Sequence, residues 1–386
     1  MTASQKRNLL TAQRVVLALA LLLTSAGPSL AQTDTTAAHI ARELSPLLSK
    51  NRVPGMAVGV VAKGKVLWQG GVGAAEAGTQ SPITATTRFQ IASISKPITA
   101  LMVLRLAKQG KLKLDEDVNV GLSSWKLPAS KYTLTQPVTA RLLLMHRAGI
   151  NLDGSWGFSR DERPRPSLVD FLNGTHSRKE DPAVRSIAEP NTKYRYSGGG
   201  YAILQQYLED TQHEPFSALL QREVFAPAGM LHSNVIIDPE PTSESDFAAG
   251  HSRGGAVIEG KWRYYPHAAG AGIYASVDDL TRLAIAVLDA YHGRDSTWLS
   301  RADVLEMIRL PYPDKGDYAM GWHVVKDDKG QVSIAHSGLN SGFISVFKID
   351  LDLDSAGVVL TNSEKGNEVW QAAITTVVSA HKVSDK

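Results

Sequence analysis

Strand patterns fall at the two ends of this chain and hardly anywhere between, and that distribution constrains the fold more than any other feature. Residues 55–62 (Gly-Met-Ala-Val-Gly-Val-Val-Ala) read as a strand, Lys63-Gly64 as a turn and residues 65–70 as the return strand of a hairpin. The other end alternates in the same way over 321–325, 332–335, 343–350 and 357–361. From 112 to 249 helix and loop signals dominate, broken by Pro128, Pro137, Pro164, Pro166, Pro182 and Pro190, with 139–147 and 200–210 the best helical stretches. Further helices are expected over 36–49, 93–109, 277–292 (Asp278 and Asp279 in its first turn) and 367–380. The helix from Ser93 is apolar around most of its circumference, which predicts a buried central helix. An antiparallel sheet built from both chain ends, with a mostly helical insertion, accounts for this order. The expected class is α+β, an α/β sandwich plus a helical lobe: one domain over 32–386, with a sheet lobe at 36–92 and 265–386 and a helical lobe at 93–264.

The first 31 residues stand apart. Lys6, Arg7 and Arg14 precede nine apolar residues, Val15 to Leu23, and the small residues Ser29-Leu30-Ala31 follow a Gly27-Pro28 break. This is the layout of a secretory signal peptide, cut after Ala31 to leave a secreted or periplasmic protein of 355 residues. The alternative, an N-terminal membrane anchor, needs about 20 apolar residues. With the leader's three cations removed, 38 Lys and Arg face 38 Asp and Glu, so the chain's basicity belongs to the leader and no nucleic-acid footprint remains. Absence of cysteine excludes disulfides, thiolate metal sites and a cysteine nucleophile. No two of the 11 histidines are three or four apart, and there is neither a Walker loop nor a Gly-x-Gly-x-x-Gly, so no metal or cofactor is expected.

Three polar clusters carry the chemistry. In Ser93-Ile94-Ser95-Lys96 a hydroxyl and an amine lie one helical turn apart, on one face. The spacing alone is weak, since it recurs at Ser123/Lys126, Ser345/Lys348 and Ser379/Lys382. The first copy differs in opening the long apolar stretch, so its serine sits at a helix start, N–H and dipole turned outward. The second cluster, Tyr194-Arg195-Tyr196-Ser197 followed by Gly198-Gly199-Gly200, puts a tyrosine before glycines that allow close backbone approach or positive φ. A glycine-rich turn with surface tyrosines is the other reading. The third, His336-Ser337-Gly338-Leu339-Asn340, lies between two strand patterns, as a polar edge or as a hairpin turn with a surface histidine.

In this order the three clusters resemble the penicillin-recognising serine hydrolases, the family of class C β-lactamases, D-alanyl-D-alanine carboxypeptidases and related esterases. Ser93–Lys96 matches its Ser-x-x-Lys motif, Tyr196-Ser197-Gly198 aligns with Tyr-x-Asn, and His336-Ser337-Gly338 with Lys/His-x-Gly. The run from Arg141 to Gly149 is similar to the family's Leu-Leu-x-His-x-x-Gly segment, and that from Ala269 to Leu280 to its Ala-Gly-Gly-Leu-x-Ser-x-x-Asp-Leu stretch. The resemblance spans about residues 40–370 and implies a β-lactamase/transpeptidase-like fold. It also implies roles: Ser93 as nucleophile, Lys96 and Tyr196 as proton carriers with the resting base left open, and His336 orienting the tyrosine or meeting a substrate carboxylate. Ser337 and Gly338 would line the substrate, and the backbone N–H groups of Ser93 and Leu339 would hold the oxyanion. A Ser-His-Asp triad lacks its Gly-x-Ser-x-Gly elbow at Ser93.

Two departures bear on substrate. Gly198 replaces the family's asparagine, and His336 stands where typical β-lactamases carry lysine, which argues against efficient β-lactam turnover. The expectation is therefore an exported serine hydrolase acting through an acyl-enzyme on a small ester, amide or D-amino-acid peptide. The alternatives are a β-lactamase or an inactive relative that keeps the cleft for binding. For Trp68, Trp156, Trp262 and Trp322 the sequence does not separate core packing from cleft lining, and the core is the expectation.

Overall fold

The computed structural model describes residues 30–235, 246–294, 298–311 and 316–384. The leader read over 1–31 therefore lies almost wholly outside the described residues. Helix α1 (Leu30–Asn51) presents Ile40, Leu44 and Leu48 inward at the four-residue spacing of one helix face. Strands β1 (Gly55–Ala62) and β2 (Lys65–Gly73) follow, turned by Lys63 and Gly64, both at positive φ (52° and 68°), which suits the twist of a two-residue hairpin. Helix α2 (Ser95–Lys108) is buried nearly all round, as its apolar circumference requires. Helix α3 (Gly198–Gln212) and helix α4 (Val277–His292) come next. Strands β3 (His323–Lys326), β4 (Val332–Asn340), β5 (Phe343–Asp350) and β6 (Ser355–Thr361) lead to a closing helix α5 (Trp370–Ser384).

The two ends of the chain meet in one antiparallel sheet of order β2-β1-β6-β5-β4-β3. The seam is β1 against β6, running from Met56 opposite Thr361 to Ala62 opposite Ser355. Period-two alternation sorts its side chains: Val58, Val60 and Val359 face Ile40 and Leu44 of α1 and Ala373 and Val377 of α5. Ala57, Val61, Val358 and Leu360 face the larger core shared with Leu280 and Leu283 of α4. Gly59 lets α4 approach, since a Cβ there would lie 2.5 Å from Thr281 Cγ2. The result is an α+β architecture in which helices cover both faces of the sheet.

Two expectations are corrected, and one alternative is decided. The stretch from Ser93 does not begin as α-helix: Ala92–Ile94 form a 3-10 turn and the helix starts at Ser95. Of the two readings of the third cluster the polar edge holds, because His336 to Asn340 continue β4 and the turn falls at Ser341-Gly342. Trp322 and Trp262 are core residues, but Trp68 is half-buried and Trp156 is 52% exposed.

Candidate active site

Ser93 sits on a backbone that the rest of the fold over-determines. Phe89–Gln90 pair with Tyr274 and Ala275, the Ile91 N–H donates to the Ile273 carbonyl at 3.1 Å, and Ser345 Oγ donates to the Ile91 carbonyl at 2.8 Å. These bonds hold Ala92 at φ 51°, a left-handed conformation that costs an L-residue about 1–2 kcal/mol. The chain then enters α2, whose first turns are stitched to residues 269–273. Lys96 Nζ donates to the Gly270 carbonyl (2.8 Å), Thr99 Oγ1 donates to the Ala269 carbonyl (3.0 Å), and the Ile273 N–H donates to Ser95 Oγ (3.2 Å).

Two groups converge on the serine. Lys96 Nζ lies 3.1 Å from Ser93 Oγ, and the Tyr196 hydroxyl donates to the same oxygen at 2.9 Å. Lys96 is 2% exposed, and burial, with no offsetting carboxylate, lowers its pKa from 10.5 to about 7. Burial pushes the Tyr196 phenol up, which keeps it protonated. The amine stands 4.8 Å from the centre of the Tyr196 ring and 5.4 Å from that of Tyr201.

Tyr196 is placed by His146. The residues on either side of the tyrosine are tied to this one histidine: the Arg195 N–H donates to its carbonyl (2.7 Å) and the Ser197 N–H to its Nδ1 (3.1 Å). The imidazole also faces the Tyr196 ring at 4.2 Å between centroids. Because Nδ1 accepts, the proton is on Nε2, and burial keeps the ring's pKa well below its usual range. Ser197 caps α3 through the Gly200 N–H at 2.8 Å. The glycines supply close approach rather than positive φ. The N–H groups of Gly198 and Gly199 donate to the carbonyls of Asp153 (3.0 Å) and Leu152 (3.1 Å), and a Cβ on Gly199 would lie 2.9 Å from the Asn151 carbonyl oxygen.

The wall opposite is β4. A Cβ on Gly338 would fall 2.4 Å from both the Ile91 carbonyl oxygen and Ser345 Oγ, so only glycine lets this strand lie against the serine's turn. The hairpin closes with Asn340 opposite Phe343, and ladder alternation from that pair turns the Ser337 and Leu339 N–H groups away from β5. On that side β3 has already ended, with His323 opposite Ala335, so this stretch is an edge and its N–H groups face the Ala92–Ile94 turn packed beside it. Ser337 and Leu339 both line the cleft with Ser93, Lys96 and Tyr196. His336 lines it too, but its nitrogens are committed elsewhere: Nδ1 donates to the Ser337 carbonyl (2.8 Å) and Nε2 accepts from the Tyr318 hydroxyl (3.1 Å). Its contact with Tyr196 is ring packing at 6.4 Å, not a hydrogen bond, and burial holds it neutral.

Sequence reading gave three residues no role at this site. His146 was legible only as part of a matching segment. Trp156 is an exposed wall of the cleft, its carbonyl accepting from the Tyr265 hydroxyl at 3.2 Å. His267 also lines the cleft; it stacks on Phe171 at 3.9 Å and 12°, its Nδ1 has no partner, and burial together with the Lys96 charge lowers its pKa to about 3. Nothing local in the sequence marks it. Among the described residues there is no cluster of groups that would hold a metal ion, and no helix long and apolar enough to cross a membrane.

Known proteins resemble this chain in sequence and in fold. Penicillin-binding protein 4* of Bacillus subtilis (strain 168) is 25% identical over 342 residues, 81% of this chain and 68% of that protein. Penicillin-binding protein 4 of Amycolatopsis lactamdurans is 26% identical over 337 residues, covering 84% and 85%. Among solved structures, the octameric penicillin-binding protein homologue from Pyrococcus abyssi superposes with a TM-score of 0.69 at 21% identity, over 90% of this chain and 77% of the other. EstCE1, described as a hydrolase with promiscuous acyltransferase activity, superposes at 0.67 and 21%, over 90% and 100%. These two establish the β-lactamase/transpeptidase-like fold. A family model described as Beta-lactamase matches residues 40–382, which takes in Ser93, Lys96, Tyr196 and β4 alike, and the chain belongs to that family of serine hydrolases.

Proposed function

We propose that this protein is an exported serine hydrolase that works through an acyl-enzyme on Ser93, with a small ester, amide or D-amino-acid peptide as substrate. The observation that carries the reading is the convergence of a buried amine poised near pH 7 and a protonated phenol on one hydroxyl. Neutral Lys96 accepts the Ser93 proton as Oγ attacks the acyl carbon, and the two backbone N–H groups, of Ser93 and Leu339, hold the oxyanion. Removing one such donor typically costs about 2.7–4 kcal/mol of transition-state stabilisation. Collapse of the tetrahedral adduct breaks the bond to the leaving group, which takes a proton from Tyr196, and Lys96 returns its proton to the phenol. Water then attacks the ester of Ser93, loses its proton to the same pair, and releases the acid while Ser93 regains its hydrogen. With Tyr196 held protonated, the resting base in this scheme is Lys96. Residues 1–31 are read as the export leader.

A fluorophosphonate probe tests the reading. Mass added at Ser93 and lost in Ser93→Ala supports it; a folded protein that takes no label at Ser93 favours the binding-protein alternative. Side-by-side assays with nitrophenyl esters, D-alanyl peptides and a cephalosporin then sort the substrate class. Efficient cephalosporin turnover would restore the β-lactamase alternative.

A further inference from the structure

Beyond Leu339 the cleft opens onto a second depression, and its walls are charged. It is lined by Trp156, Arg178, Arg253, Arg263, Leu339, Ser341 and Glu364, so Trp156 and Leu339 are walls of both. The three guanidiniums come from three separate segments of chain. Their partners differ. Arg178 is bound to Asp181 at 3.2 Å and paired with Glu180, whereas Arg263 has, among the described residues, only the exposed Glu259 at 3.7 Å. Arg253 bonds through its side chain to a backbone carbonyl, that of Glu364 at 3.5 Å, and no carboxylate among the described residues pairs with it. The single lining carboxylate, Glu364, accepts the N–H groups of Arg253 (3.2 Å) and Gly342 (3.4 Å), which fixes the rim to the β4–β5 turn. Arg178 is thus matched by its own two acids, Arg263 is held only loosely, and the Arg253 guanidinium lines the depression at the mouth of the site with no carboxylate among the described residues paired to it.

Inside the cleft no lining cation is offered for the same work: Lys348 is paired with Asp350 at 2.6 Å. His336, where the family pattern offers a lysine, is neutral with both nitrogens engaged, and Lys96 must shed its proton to act. From Leu339 to Ser341, at the start of the turn, the chain advances two residues, at most about 7 Å. A compound whose carbonyl sits on the Leu339 N–H would reach the rim with a group about that far along its chain, passing over the exposed Trp156 and Leu339.

We propose that Arg253 and Arg263 form a subsite for a carboxylate carried by the substrate beyond its reacting carbonyl, so that acyl compounds with a free carboxylate are the preferred class. This rests on Ser93 being the nucleophile of the cleft. A guanidinium meeting a carboxylate makes charge-assisted, two-pronged hydrogen bonds, and one such contact amounts to about tenfold or more in specificity.

The test compares two kinds of substrate with one chromophore: p-nitrophenyl butyrate, and the p-nitrophenyl monoesters of glutaric, adipic and suberic acid. For the wild-type protein, kcat/KM for the best dicarboxylate ester is expected to exceed that for butyrate by about tenfold at low salt, through KM, and the advantage should shrink as salt rises. In Arg253→Gln/Arg263→Gln, matched to wild type in melting temperature, the ratio should fall to about one, with Arg253→Lys intermediate. A ratio that is the same in wild type and the double variant overturns the subsite. Failure of the wild type to hydrolyse any of these esters, together with no fluorophosphonate label on Ser93, overturns instead the reading of the cleft on which it rests.

Discussion

The Lys96 amine donates to the Gly270 carbonyl at 2.8 Å, and among the described residues its other polar neighbour is the hydroxyl it is proposed to activate, that of Ser93. An ammonium so placed has lost water and gained a single full acceptor, which is why its pKa falls to about 7. The carbonyl orients the amine without neutralising a charge. That combination leaves the nitrogen lone pair available for a proton.

The rate of acylation should follow that titration. kcat/KM for a nitrophenyl ester is expected to rise with pH through an apparent pKa near 7, as Lys96 loses its proton, and then to stay level. Tyr196 should add no descending limb within the ordinary working range, because burial raises its pKa. A profile flat from pH 5 to 9 would remove Lys96 from the role of base.

The same burial makes Lys96 a liability to stability, and the sign is definite. A lysine whose folded-state pKa lies below its unfolded value destabilises the fold wherever the unfolded chain holds the proton. The penalty is complete below pH 7, declines between about 7 and 10.5, and is absent above. Its ceiling is roughly 5 kcal/mol, less about 1–3 kcal/mol for the Gly270 carbonyl left unbonded when the amine is removed. Lys96→Met is therefore expected to lose essentially all acylation yet melt at a higher temperature than wild type at pH 7, with the gain vanishing towards pH 10. Denaturant melts at the two pH values check this; equal or lower stability at pH 7 would contradict it.

How far the sequence carried this reading depends on the range of the interaction concerned. The β1–β2 hairpin and helices 36–49 and 277–292 were legible because each is set by its own periodicity and turn residues, as Lys63-Gly64 illustrates. The Ser93 turn was not, since Ala92 is driven to positive φ by bonds from Ile273 and Ser345, about 180 and 250 residues away along the chain. The strand pattern over 332–335 stops short of His336 to Asn340 because Ser337, Gly338 and Asn340 are poor strand formers. They are held in β4 by Phe347, Val346, Ser345, Ile344 and Phe343 across the ladder. His146 is marked only by the family-like segment around it and His267 by nothing local, because what distinguishes both is the ring or N–H that tertiary folding brings alongside.

Gly198 also looks different in three dimensions. In sequence it is a missing amide, and Gly198→Asn would be the repair. In the fold a Cβ at this position would lie 3.3 Å from both the Asp153 carbonyl oxygen and Gly154 Cα, and the Gly198 N–H is already bonded to that same carbonyl. The 151–154 loop has closed over the space. Gly198→Asn is therefore expected to displace the loop and melt about 1–3 kcal/mol less stably, with no gain in nitrocefin hydrolysis. A rise in nitrocefin kcat/KM of tenfold or more would show that the loop yields and that the amide was what was missing.

His146 is the residue whose removal most directly separates placing Tyr196 from reacting with it. Its carbonyl and Nδ1 hold the backbone on both sides of the tyrosine, its ring packs on the phenol, and its own φ is 55°. His146→Phe keeps a ring but leaves the Ser197 N–H buried without an acceptor, at about 1–3 kcal/mol, and puts a bulky residue in a left-handed conformation. His146→Asn loses the ring but offers an amide oxygen near the position of Nδ1 and tolerates that φ. If the backbone clamp is what matters, Asn should retain more activity than Phe, with kcat reduced about tenfold against a hundredfold or more, and KM should change little in either. Because the imidazole is neutral across the working range, the limb near pH 7 should persist in both variants. Loss of that limb in His146→Asn would make His146 a proton carrier, and equal kcat for the two variants would show that ring packing, not the bond to Ser197, sets the tyrosine.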